Sequence, residues 1–220
     1  MTTVGFIGSG HIGGTVARLA VAAGYDVVVS NSRGPETLAE LVAELGPKAR
    51  AAAASEAAAA GDLVVVSVPF GKYRQVPAEP LAGKTVLDTN NYYPGRDGEF
   101  PALDDGSTTA SELLQEHLTG AHVVKVFNNI YWETLRSLAR PSGAPDRSAL
   151  AIAGDDADAK AAATAFLDTI GYDAVDAGPL AEGRRYQPGT PAYGGIYAGD
   201  SLQDAVTGPA DKVRAALAAG

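Results

Sequence analysis

The stretch "TVGFIGSGHIGG", residues 3–14, places Gly8, Gly10, Gly13 and Gly14 around one histidine, directly behind a short apolar run. Residues 8–13 spell G-x-G-x-x-G, which serves either a tight surface turn or the close approach of backbone to a phosphate. The flanking residues decide between the two. Residues 4–7 read as a buried strand. Ile12, Val16, Leu19, Ala20 and Ala23 then recur at helical spacing, and Gly24 stands where a helix C-cap glycine belongs. "DVVVS", residues 26–30, reads as a second strand. In such a unit Gly8 permits the turn, Gly10 lets the chain approach a pyrophosphate, and Gly13 lets helix and strand pack closely. The start of the helix offers its unpaired N–H groups to the anion. The reading is a dinucleotide site.

Outward from this unit the alternation continues. Pro35 falls at a first helical position, Leu38, Leu41, Val42 and Leu45 form one apolar stripe, and Gly46-Pro47 stops it. The alanine-rich residues 49–62 have the propensity of a single helix. A βα unit fits the alternation better: a short strand, then a helix capped by Ser55 and ended by Gly61. Further strands are "DLVVVSVPF" (62–70), "TVLDTNN" (85–91), "HVVKVFNNI" (122–130), "SALAIAG" (148–154) and "YDAVDAG" (172–178). The first two are continuous apolar runs, as a sheet covered on both faces requires. Thr109 and Glu112 form a capping-box pair ahead of one helix. Another helix runs to Leu138, and a third carries Phe166, Leu167 and Ile170. The expected fold class is α/β, a Rossmann-type doubly wound, mostly parallel sheet with a small C-terminal extension. After Gly178 the chain turns rich in Gly and Pro, and "DKVRAALAAG" adds a closing helix. We therefore expect an NADP-binding domain over residues 1–178. Residues 179–220 form a small segment that completes the substrate pocket or a dimer contact.

Composition narrows the function classes. The chain of 220 residues carries a formal net charge of −9, which is not the balance of a nucleic-acid binder. It has no cysteine, which excludes disulfides, thiolate metal sites and a cysteine nucleophile. His11, His117 and His122 are too scattered for a metal cluster, so no metal is expected. No apolar run approaches the ~20 residues of a membrane span, and no basic segment precedes the first strand. The expected location is cytoplasmic.

The end of the second strand speaks to the cofactor. An NAD site places Asp or Glu there to hold the ribose 2′-hydroxyl. This chain has Ser30-Asn31-Ser32-Arg33 and no acid. Ser32 and Asn31 can hydrogen-bond a 2′-phosphate, and Arg33 can add charge-assisted contacts. The expected cofactor is NADP. His11 is read as flanking the pyrophosphate or covering the helix start rather than as a catalytic group.

With these residues in view the sequence resembles the family of F420-dependent NADP oxidoreductases. The segments that carry the resemblance are "GFIGSGHIGGTVARLAVAAGYDVVVSNSRG", "DLVVVSVPFGKY", "VLDTNNYYPGRDG", "VVKVFNN" and "DAGPLAEGRRYQP", which together cover most of residues 4–188. The first is shared by many dinucleotide folds; the last two are more specific. The resemblance implies a Rossmann domain whose C-terminal portion shapes a deazaflavin pocket, coenzyme F420 as co-substrate, and a homodimer. By position it implies that Ser9, His11 and Ile12 touch the cofactor phosphates and that Ser32 and Arg33 hold the 2′-phosphate. It also implies that Val68, Pro69 and Phe70 border the nicotinamide, with Asn90 nearby. Asn128 and Trp132 follow the next strand end and could line the substrate pocket. The adjacent Tyr92 and Tyr93 and the Gly/Pro-rich tail depart from the family pattern, and both lie toward the substrate side. Arg184 and Arg185 are candidates for an anionic tail of the co-substrate.

The function expected is hydride exchange between NADP(H) and F420. Such exchange needs no protein acid at the reacting carbon, and no Lys-Tyr, His-Asp or metal constellation stands at the strand ends, so no catalytic residue is assigned. Two alternatives stand beside it. One is an NADPH-dependent reductase of a small imine or carbonyl, with His11, Tyr92 or Tyr93 donating a proton. The other is a non-catalytic NADPH sensor.

Overall fold

Apolar strands alternate with amphipathic helices along this chain, and the chain folds accordingly. A computed structural model describes residues 2–201 and 204–220. Strand β1 (Thr3–Ile7) feeds the glycine loop and α1 (His11–Ala22), and β2 (Asp26–Ser30) follows. Pro35 opens a 3-10 turn (Pro35–Leu38) that runs into α2 (Ala39–Leu45). The alanine-rich segment divides into β3 (Ala49–Ala51) and α3 (Ala54–Ala60). Its cap differs from the expected Ser55: the N-cap is Ala53, whose N–H donates to the Glu56 carboxylate at 3.1 Å. Ser55 lies inside the first turn, and the acid three residues beyond the cap closes the backbone instead.

Next come β4 (Leu63–Val66), β5 (Thr85–Asp88), the one-turn helices α4 (Pro94–Asp97) and α5 (Pro101–Asp104), and α6 (Ala110–His117). Thr109 and Glu112 make the expected capping box. Then follow β6 (His122–Lys125), α7 (Trp132–Ser137), β7 (Ala149–Gly154), α8 (Ala157–Ile170), β8 (Asp173–Asp176), a 3-10 turn (Leu180–Tyr186) and α9 (Ala210–Ala218). Strands β4, β5 and β6 are shorter than the apolar runs that predict them. The chain leaves the sheet after Val66, Asp88 and Lys125, and the residues beyond become the loops of the site.

The eight strands form one sheet in the order β3-β2-β1-β4-β5-β6-β7-β8. From β3 to β6 every pairing is parallel. Strand β7 runs antiparallel to β6, and β8 runs parallel to β7. Both faces are covered. Phe6, Val65 and Leu87 join one apolar cluster with helix α8, while Val64, Val66 and Val86 join another with Phe70 and Leu114. Each such side chain contributes roughly 1.5–3 kcal/mol on burial. The chain leaves β1 toward β2 and β3, then crosses back to β4 on the other side. That reversal opens a crevice beyond the carboxyl ends of β1 and β4, where open α/β sheets bind ligands.

After β8 the chain returns toward the same edge. The Tyr186 hydroxyl donates to the Lys125 carbonyl at 2.9 Å, and the Tyr197 hydroxyl donates to the Ala149 carbonyl at 2.7 Å. Helix α9 closes over β7 and β8. Among the described residues no helix is long and apolar enough to cross a membrane.

Candidate functional site

The three motif glycines meet three different surroundings. Gly8 holds φ +97°, and a Cβ there would lie 2.0 Å from the Ser67 carbonyl oxygen. A Cβ on Gly13 would lie 2.1 Å from the Gly8 carbonyl oxygen. At Gly10 a Cβ would meet nothing within 4 Å. The first two glycines are therefore demanded by the protein's own packing, and the third is not. Gly10 caps α1 without a side-chain hydrogen bond, and no acid stands in the first turn of that helix. The open space and the uncapped N–H groups together form a cradle for an anion. Ser9 orders the loop by donating its hydroxyl to the Ser30 carbonyl at 2.9 Å.

At the end of β2 the Asn31 side chain shapes the turn. Its Oδ1 accepts from the N–H groups of Arg33 and Gly34 at 2.9 and 3.0 Å, and its Nδ2 donates to Thr37. Ser32 and Arg33 are exposed beyond it, and among the described residues no carboxylate pairs with Arg33.

A cavity of about 470 Å³ occupies the crevice. Gly10, His11 and Ile12 line it from the glycine loop, Ser67, Val68 and Pro69 from the end of β4, and Thr89, Asn90 and Asn91 from the end of β5. Residues 127–132 line it after β6, joined by Tyr93, Arg96, Tyr193 and Gly194. The structure thus brings together His11, Ile12, Val68, Pro69, Asn90, Tyr93, Asn128 and Trp132 from the sequence reading. His11 stacks on Trp132 with ring centroids 4.9 Å apart.

Other residues singled out in the sequence turn elsewhere. Phe70 is buried in the core, stacked on Tyr73 at 4.8 Å, because the turn after Pro69 sends its ring into the apolar cluster of Val64, Val66, Val86 and Leu114. Tyr92 packs against Phe70 and Phe100, donates its hydroxyl to Asp104, and lines a second cavity of about 210 Å³. Arg184 and Arg185 line a third cavity with Thr108, Glu182 and Gln187. Arg185 pairs with Glu182 at 3.1 Å, whereas the Arg184 Nε donates to the Ala181 carbonyl. The three cavities lie side by side: Asn91 walls the first two, and Thr108 and Gln187 wall the second and third.

The cavity floor is a network of amides. The Val68 N–H donates to Asn90 Oδ1 at 2.9 Å. Asn128 Nδ2 donates to the Tyr186 carbonyl at 2.9 Å and to Asn91 Oδ1, while Asn91 Nδ2 donates to the Asn128 carbonyl. Asn90 Nδ2, Asn128 Oδ1 and Asn129 Oδ1 are buried without a partner among the described residues. Ahead of the asparagine pair Phe127 sits at φ +65°, a left-handed conformation uncommon for a bulky side chain and a form of strain that gathers at functional sites.

Arg96 and Tyr193, two residues of the wall that carries Tyr93, were missed in the sequence. Arg96 lies over the Tyr93 ring, 4.8 Å from its centroid, and makes a two-pronged pair with Asp97. Burial alone would raise the Asp97 carboxyl. Hydrogen bonds from Arg96 and from the N–H groups of Tyr93 and Gly71 hold it below its usual range. The Tyr93 hydroxyl is hydrogen-bonded to that of Tyr193, one hundred residues away. Burial and that bond push the Tyr193 phenol well above its ordinary value. Among the described residues the lining of the main cavity contains no carboxylate and no lysine, and no cluster of acids and histidines could hold a metal.

Comparison with known proteins agrees with this geometry. The family model described as NADP oxidoreductase, coenzyme F420-dependent, matches residues 3–92, from β1 through Tyr92. The resemblance read in the sequence is borne out over that part. No curated protein matches the chain. Among solved structures, a hypothetical protein from Sinorhizobium meliloti is 29% identical with a TM-score of 0.75, covering 88% of this chain and 93% of that one. A protein from Arthrobacter sp. FB24, provisionally named an F420-dependent NADP reductase, is 28% identical with a TM-score of 0.70, covering 84% and 87%. An imine reductase from Pseudomonas sp. shares the fold at 22% identity and a TM-score of 0.56, covering 81% of this chain and 56% of that one. These findings support an NADP-dependent oxidoreductase on a Rossmann-like α/β fold.

Proposed function

We propose that this protein exchanges hydride between NADP(H) and the deazaflavin coenzyme F420. In this reading it is a cytoplasmic homodimer in which residues 179–220 complete the substrate pocket. The observation that carries the reading is a roomy cavity, joined to an anion cradle, whose lining among the described residues lacks both carboxylate and lysine. The nicotinamide, when bound, supplies or receives the hydride, and the protein's task is to hold and orient two rings with water kept out. Gly10 and the start of α1 receive the pyrophosphate, with Ser9, His11 and Ile12 around it. Ser32 and Arg33 hold the 2′-phosphate. Val68, Pro69 and Asn90 border the nicotinamide side, and Tyr93, Asn128 and Trp132 the co-substrate side. The family description and the name of the Arthrobacter protein both favour F420 as that co-substrate.

The hydroxyl pair of Tyr93 and Tyr193 favours a second reading, an NADPH-dependent reductase of a small imine or carbonyl. There a positioned donor is worth about 10²–10⁴ in rate. Mixing the protein with NADPH and purified F420 and following absorbance separates the two. Under the F420 reading turnover is seen, and His11→Ala, Tyr93→Phe and Tyr193→Phe each keep more than about a tenth of kcat. No turnover with F420, or a loss of about a thousandfold in a tyrosine variant with NADPH binding intact, shifts the assignment to the imine or carbonyl reaction.

The adjoining cavities suit a co-substrate with an extended anionic arm reaching Arg184 and Arg185. Replacing both arginines by alanine is then expected to raise the KM for F420 several-fold and leave that for NADPH unchanged. An unchanged KM for F420 places the arm elsewhere, with Arg96 the next cation to test.

A further inference from the structure

Beneath the cavity floor lie two buried ionisable groups, bridged by Ser111, that none of the contacts proposed above employs. Asp88 and Lys125 are register partners at the ends of β5 and β6, and their residues are 0% and 2% exposed. Burying two charges is costly, and apolar residues of similar volume often serve a core as well or better. Burial pushes the Asp88 carboxyl up and the Lys125 ammonium down, and each charge partly restores the other. The chain also makes room for the lysine stem: a Cβ on Gly183 would lie 2.6 Å from Lys125 Cδ.

These buried groups converge on Asn90. Its N–H donates to Asp88 Oδ1 at 3.0 Å, and its carbonyl accepts from Lys125 Nζ at 3.1 Å. Ser111 joins the two charges, donating to Asp88 Oδ2 at 2.6 Å and accepting from Lys125 Nζ at 3.1 Å. The side-chain oxygen of Asn90 is taken by the Val68 N–H. Asn90 is thus held at its backbone N–H, its backbone carbonyl and its side-chain oxygen. The group left over is Nδ2, buried without a partner among the described residues, and its residue lines the cavity.

We propose that Lys125 is a positioning residue: with Asp88 and Ser111 it fixes Asn90 so that the free amide N–H meets an acceptor oxygen on the nicotinamide half of the dinucleotide. The inference rests on the reading that NADP(H) fills the cavity. Removing the ammonium leaves the Asn90 carbonyl and the Ser111 hydroxyl each short of a donor in a buried setting, where the loss is felt most. A purely structural role would weaken every ligand alike. A positioning role touches only ligands that carry a nicotinamide.

The test compares NADPH with 2′,5′-ADP, which has the adenosine phosphates and lacks the nicotinamide. Lys125→Met keeps the stem without the charge, and Ser111→Ala is a milder cut in the same network. In titrations of the full-length protein, with folding checked by thermal unfolding, Lys125→Met is expected to weaken NADPH about tenfold and 2′,5′-ADP less than about twofold. Ser111→Ala is expected to show the same contrast in smaller measure, and decides the matter if Lys125→Met does not fold. In an Asn90→Ala background, Lys125→Met is expected to add little. Equal losses for both ligands, no loss for either, or additivity with Asn90→Ala overturns the positioning role. Failure of the unmodified protein to bind NADPH overturns the NADP reading and this inference with it.

Discussion

Gly10→Ala is expected to weaken NADPH at least about a hundredfold, equivalent to about 2.7 kcal/mol, while leaving the protein folded. The backbone at Gly10 is extended, at φ −76° and ψ −154°, which alanine adopts without strain, and a Cβ would point into space free of protein atoms. The free protein then loses only the advantage of glycine over alanine as a cap, about 1 kcal/mol, and its melting temperature falls by no more than about 4 °C. The bound state loses more, because the methyl group takes the space reserved for the pyrophosphate. Gly13→Ala is expected to do the reverse. Its Cβ would strike the Gly8 carbonyl at 2.1 Å in the free protein, and overpacking of that kind lowers the melting temperature by roughly 5–10 °C. Differential scanning calorimetry and a fluorescence titration with NADPH read both arms. A Gly10→Ala variant that binds like the parent would take the pyrophosphate out of the glycine loop.

Arg33→Ala is expected to weaken NADPH by roughly 10- to 150-fold, or about 1.5–3 kcal/mol, and NADH hardly at all. The turn supports this selectivity. Asn31 fixes the backbone on either side of Arg33 through two N–H bonds, so the guanidinium leaves a defined point of an otherwise exposed loop. A charge held this way, with no carboxylate beside it among the described residues, gains its partner only when a phosphate arrives. Equal losses for the two nucleotides would remove Arg33 from the 2′-phosphate. Asn31→Ala is a useful companion: its side chain is already committed to the turn, so its effect on NADPH reports loop order rather than a lost contact.

The glycine-loop side of the candidate site was legible because its determinants are local. The glycine spacing, the flanking strand and helix, and the serine and arginine after β2 all lie within about thirty residues of one another, and each has a steric or electrostatic reason for its place. The rest of the cavity lining was legible only in part. Tyr93, Asn128 and Trp132 stand just beyond strand ends, where a general rule finds them. Tyr193 reaches the cavity by a path that no periodicity records. Arg96 was hidden in "YYPGRDG", where a proline and two glycines announce only a turn. Phe70 shows the converse error, since a turn residue beside a cleft can point its ring into the core. One signal was present and unused. Asp88 and Lys125 each follow two apolar residues as the fourth residue of a strand, in "TVLD" and "HVVK", and two opposite charges at matching places in adjacent strands signal a shared buried network.

Strand β7 runs against its neighbour, and this has a bearing on how the site can change over evolutionary time. Because β7 and β8 point away from the crevice, the last stretch of chain must travel back to it, and it does so anchored by Tyr186 on β6 and Tyr197 on β7. Between those anchors residues 187–196 form an irregular span of the wall that carries Tyr193. Substitutions in this span can reshape the pocket for a new acceptor without disturbing the glycine loop or the turn after β2. The two sides of the crevice are therefore free to diverge at different rates, the glycine loop and the turn after β2 in the first third of the chain and the irregular wall in the last.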